Sequence, residues 1–106
     1  MTVELLYWDG CPSHPEALDE LHRVLREEGI GASVELVEVT SDEQARRERF
    51  PGSPTIRIDG EDVTPPPDGE PFSLTCRVYR TRDGRVSPTP DPEDLRKAIR
   101  DRRASA

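Results

Sequence analysis

The sequence predicts a single α/β domain over residues 1–106, built on a mixed central sheet of about four strands with about three helices around it. Three features point there. Short apolar runs alternate with amphipathic stretches through the first half of the chain, giving the order strand, helix, strand, helix. Asp59-Gly60 then stands between two extended runs, a residue pair that closes a hairpin. Past a proline-rich insertion, helical spacing returns from Asp91-Pro92 toward the C-terminus.

Val3 to Trp8 alternates as a strand does, and Asp9-Gly10 breaks it and delivers the chain to Cys11-Pro12-Ser13-His14. Ser13 with Glu16 makes a capping-box pattern, after which Ala17, Leu18, Leu21, Val24 and Leu25 recur at helical spacing until Gly29. Val34 to Val39 carries three valines and is predicted as a buried strand. Ser41 with Gln44 caps a short helix through Arg49. Pro54 opens a strand from Thr55 to Ile58, which Asp59-Gly60 turns back into Glu61 to Val63. Thr64 to Pro71 holds four of the eleven prolines together with Gly69 and is predicted as a stiff exposed loop. Arg77 to Tyr79 reads as a further short strand with a turn at Asp83-Gly84, and the last helix, opened by Asp91-Pro92, contains Leu95, Ala98 and Ile99.

With 32% hydrophobic residues and 5% aromatics, the core must be small and made mostly of Leu, Val and Ile. The net charge of −7 argues against a nucleic-acid partner, since such binding depends on basic side chains neutralising phosphates. All fifteen basic residues except Lys97 are arginines, which are read as solvated faces. Met1 to Asp9 has neither a basic leader nor an apolar run long enough for a membrane span, so a cytoplasmic location without membrane association is expected. Two cysteines in that setting are expected to be catalytic, redox-sensing or metal-binding rather than a permanent staple.

Cys11 lies where a strand hands over to a helix, so unpaired backbone N–H groups and the positive end of the helix dipole stand ready for a thiolate, while Asp9 acts against it. Here the chain resembles the thioredoxin and glutaredoxin superfamily: strand, Cys11-Pro12-Ser13-His14, helix, strand, helix, then Ser53-Pro54-Thr55 before a hairpin and a final helix. The resemblance spans nearly the whole chain. It implies a thioredoxin-like fold, thiol–disulfide oxidoreductase activity, Cys11 as the nucleophile, and Pro54 as a cis proline facing the substrate. His14 stands where a two-thiol relative has its resolving cysteine, so the second thiol must come from a small molecule or from Cys76. A reversible Cys11 to Cys76 pair, closing a loop of 76 − 11 = 65 residues, is therefore one expectation, and Cys76 as a small buried hydrophobe is the other. His14 is a candidate base for the Cys11 thiolate or simply a solvent-facing residue of the first helical turn. No cofactor is required; the expected partner is a protein or low-molecular-weight thiol or disulfide.

Other readings stay open. The chain also resembles, in part, the bacterial organomercurial lyases, with Cys11 and Cys76 matching their two cysteines and His14 standing in place of their aspartate. That resemblance implies binding of a soft metal more than bond cleavage. Cys11, His14, His22 and Cys76 form a zinc-ligand inventory, but His14 and His22 are separated by about 12 Å along a helix axis, too far to share one metal. Finally, the fold is compatible with a catalytically silent binding module, with Tyr7 and Trp8 beside the cysteine.

Overall fold

Two adjacent leucines in the first strand set the layering of the computed structural model, which describes residues 1–105. Strand β1 (Val3–Tyr7) buries both Leu5 and Leu6 completely. Because successive strand residues point to opposite faces, both faces of β1 must be covered. On one side Val3 and Leu5 join Ile56 and Ile58 of strand β3 (Thr55–Ile58) beneath helices α1 (His14–Glu27) and α3 (Pro92–Ser105). On the other, Leu6 packs with Val39, with Ala45 of helix α2 (Asp42–Glu48) and with Phe50. The chain thus forms an α/β structure with helices on both faces of the sheet.

The sheet has four strands in the order β2-β1-β3-β4. β2 (Val34–Glu38) runs parallel to β1, aligning Val3 with Val34 and Leu5 with Leu36. β3 runs antiparallel to β1 on its other side, with Leu5 opposite Ile56. It turns through Asp59 and Gly60, both at positive φ (52° and 82°), into β4 (Glu61–Asp62). Those two angles are what a two-residue hairpin turn demands, and an Asp-Gly pair supplies them at least cost. Among the described residues no helix is long and apolar enough to cross a membrane.

Three local expectations need correction. Ser13 does not cap α1 with its side chain, because its backbone is already helical (φ −88°, ψ −4°) and its Oγ is turned toward the sulfur of Cys11, 3.7 Å away. Ser41 does cap α2: its extended backbone lets Oγ accept from the Gln44 N–H at 3.0 Å. β2 is an edge strand rather than a buried one, with Glu35, Leu36 and Glu38 exposed and the fully buried Val39 lying just past its end. The strand expected at 77–79 lies instead at Tyr79–Arg80 (β5), paired with Val86–Ser87 (β6) in a separate two-stranded sheet across the Gly84 turn. The residues just before it are taken up by contacts with the segment ahead of β3.

α3 is tied to α1 by Leu95 and Ile99 in the common core and by charge at the rim, where Arg96 reaches Glu27 and Arg100 and Arg103 reach Glu28. Its start is organised by Asp91, whose carboxylate accepts from the backbone N–H groups of Glu93 and Arg82, both at 2.9 Å. Those two donors hold the Asp91 carboxyl below its ordinary value. A depressed carboxyl stabilises the fold at pH above its unfolded value and ceases to do so as pH falls through the folded one. Asp91→Ala is expected to cost about 1 kcal/mol at neutral pH and almost nothing in acid, read by urea denaturation across pH. A cost that persists unchanged once carboxyls are protonated would mean the charge is not what matters.

A disulfide site beside the cis proline

Three segments converge at one end of the sheet. The first leaves β1, where the Trp8 N–H donates to Ser53 Oγ at 3.0 Å and the Cys11 N–H closes a turn onto the Trp8 carbonyl at 3.0 Å. A Cβ at Gly10 would lie 2.4 Å from the Trp8 ring, so only glycine lets the chain pass this close to the indole. The turn sets Cys11 just ahead of α1 with only 3% of its surface exposed.

The second segment is Gly52-Ser53-Pro54, where the Ser53–Pro54 peptide is cis and leads straight into β3. The carbonyl oxygen of Ser53 lies 3.7 Å from the Cys11 sulfur. The third is residues 75–77. Ser53 donates its N–H to the Thr75 carbonyl and accepts from the Arg77 N–H, each at 2.8 Å, in an isolated parallel bridge centred on Cys76. Gly52 adopts φ +147°, and a Cβ there would sit 3.0 Å from Cβ of Arg77, so this close approach too requires glycine. With the segments so placed, the Cα atoms of Cys11 and Cys76 are 5.6 Å apart and a disulfide joins them. Cys76 is exposed where Cys11 is not.

Arg77 anchors the third segment. Its side chain is only 8% exposed and pairs with Asp62 of β4 at 2.8 Å. It also donates to Thr55 Oγ1 at 3.2 Å and to the Thr64 carbonyl, and its guanidinium lies 4.6 Å over the Tyr79 ring. The Tyr79 hydroxyl in turn donates to the carbonyl of Pro54, closing a network from β4 back to the cis proline. Burial pushes the Asp62 carboxyl above its ordinary value against the opposing pull of Arg77, and burial likewise raises Tyr79.

Of the residues singled out in the sequence, Cys11, Cys76 and Pro54 meet here. His14 is close as well: its ring stacks on Tyr7 with centroids 4.2 Å apart, and Nδ1 lies 3.4 Å from the Cys11 carbonyl oxygen. His22 is exposed farther along α1. Among the described residues no three His, Cys, Asp or Glu side chains are grouped to hold a metal ion. The sequence assigned no role to Asp62, Arg77 or Tyr79, and quoted Ser53 only as the residue before Pro54. Gly52, two places before Pro54, was a legible sign of a close backbone approach, but nothing in the sequence links Arg77 to Asp62 across the proline-rich loop.

Beside the disulfide lies an open groove of about 550 Å³ bordered by both Cys11 and Cys76, with Pro12, Val78, Val86 and Pro88 among its other lining residues. Its lips are apolar, with Val78 69% and Val86 64% exposed. Chemically the site offers a disulfide between one exposed and one buried cysteine, able to accept two electrons by exchange with thiolates. Comparison with known proteins finds no matching family model, no matching curated protein and no matching solved structure.

Proposed function

We propose that this chain is a thioredoxin-like thiol–disulfide oxidoreductase whose redox couple is Cys11 and Cys76. The observation that carries this reading is the disulfide itself: it bridges residues 65 apart in sequence, sits at the start of α1 beside a cis proline, and borders an open groove. A staple buried on both sides would be closed to exchange; this one has an exposed cysteine on one side. Further support comes from the strand order β2-β1-β3-β4, with β2 parallel and β3 antiparallel to β1, which agrees with the family resemblance of the sequence.

The reaction moves an electron pair between sulfur atoms, so the chain's own residues suffice. The partner class is a protein or low-molecular-weight thiol or disulfide, and the setting is a reducing compartment such as the cytoplasm. The test is equilibration of the protein in cysteamine and cystamine mixtures of graded ratio, with acid quenching and mass measurement. One two-electron transition, in which both thiols appear together within minutes, is the expected result. A disulfide that does not exchange in the folded protein would end the oxidoreductase reading.

A further inference from the structure

An incoming thiolate attacks a disulfide sulfur in line with the S–S bond, from the side opposite the sulfur that leaves, so access to that outer side selects the sulfur attacked. The two sulfurs here differ sharply in this respect. Cys11 is 3% exposed, with Ser13 Oγ and the Ser53 carbonyl oxygen each 3.7 Å from its sulfur. Both cysteines border the groove, but Cys76 is the exposed one of the two. We infer that Cys76 is the sulfur that exchanges with partners and that Cys11 leaves and returns. These are the reverse of the roles that the position of Cys11 before α1 suggests. The inference rests on the redox reading above.

The exchange balances as follows. A partner thiolate bonds to Sγ of Cys76, the Cys11–Cys76 bond breaks, and its electron pair remains on Cys11 as a thiolate. A second partner thiolate then attacks the partner's sulfur in the mixed disulfide and releases Cys76 as a thiolate. The partner is oxidised by two electrons to a disulfide, the chain is reduced to a dithiol, and the protons lost by the partner's thiols end on Cys11 and Cys76. Run backward, Cys76 attacks a partner disulfide and Cys11 resolves the mixed disulfide.

Cys11 suits the leaving role. The Ser13 hydroxyl, 3.7 Å from its sulfur, can donate to the departing thiolate, which emerges just ahead of the first turn of α1. A leaving thiolate stabilised in this way departs faster. The placement of residues 75–77 also does not rest on the disulfide alone, because the Ser53 bridge and the Arg77–Asp62 pair anchor that segment. The same order of access therefore persists in the dithiol.

The proposal is tested by mapping mixed disulfides. Oxidised wild-type protein is pulsed with cysteamine, quenched in acid, digested and analysed by mass spectrometry; in parallel, Cys11→Ser and Cys76→Ser variants are reacted with cystamine. Cysteamine on Cys76 in the wild type, and cystamine reacting about tenfold or more faster with Cys11→Ser than with Cys76→Ser, are expected. Adduct on Cys11 in the wild-type pulse, or equal rates in folded variants, would overturn the assignment while leaving the redox couple intact. Absence of any adduct together with no exchange at equilibrium would remove both. The wild-type pulse needs no variant to fold.

Discussion

Removing the Cys11–Cys76 disulfide is expected to lower the unfolding free energy by about 4 kcal/mol, since the crosslink closes a loop of 65 residues and so restricts the unfolded chain. For a domain of 106 residues that corresponds to a fall in Tm of about 20 °C. The measurement is thermal and urea unfolding of the oxidised protein, the protein reduced with a phosphine, and a Cys11→Ser/Cys76→Ser double variant. The reduced protein and the double variant should agree with each other and lie well below the oxidised form. A loss under about 1 kcal/mol would mean that the reduced chain keeps its ends together by other means. The effect runs both ways by linkage: whatever stability the crosslink lends the fold, the fold lends the crosslink. A partner able to reduce this disulfide therefore also loosens the protein it acts on.

The second large effect is expected at Arg77. Arg77→Met strips the partner from a buried carboxylate and is expected to cost about 3 to 5 kcal/mol, whereas Arg77→Met combined with Asp62→Leu should recover most of that loss, because an apolar pair leaves no buried charge behind. The pH dependence has a definite sign. Burial already raises Asp62 above its unfolded value, so its ionised form is a penalty at pH above the folded value, and that penalty is relieved as pH falls through it. Without Arg77 the carboxyl rises further and the relief begins at higher pH. Arg77→Met should thus regain stability on mild acidification, a trend absent from the double variant. Arg77 also positions Cys76, so the Arg77→Met dithiol should re-form its disulfide more slowly than wild type in acid-quenched time courses. Unchanged stability and closure rate would show that the Ser53 bridge alone holds the segment.

Most of the sheet and its helices were legible because each is specified within a few residues. Ala17, Leu21, Val24 and Leu25 mark the buried side of α1, and Asp59-Gly60 supplies the two positive φ angles of the β3–β4 turn. The errors fell where a neighbour distant in sequence decides. The valines of β2 suit a buried strand, yet the strand order leaves it at the edge. Ser13 with Glu16 spells a capping box, yet the turn that places Cys11 takes Ser13 into helical backbone and its hydroxyl toward sulfur. β5 begins two residues later than its composition suggests because Cys76 and Arg77 belong to the Ser53 bridge.

By itself, then, the sequence determined the α/β alternation, the apolar stripe of α1, and the placing of a cysteine before a helix and a proline before a strand. All of these rest on local periodicity and turn chemistry. Only the tertiary structure decided that Cys76 stands 5.6 Å from Cys11, that Arg77 pairs with Asp62 beside it, and that the exposed cysteine of the pair is the later one. Those outcomes depend on where the proline-rich loop returns the chain, on a buried ion pair between residues 15 apart in sequence, and on which segment covers which. Such non-local contacts leave no periodic trace in the sequence, because each is set by packing between elements rather than by the preferences of any one of them.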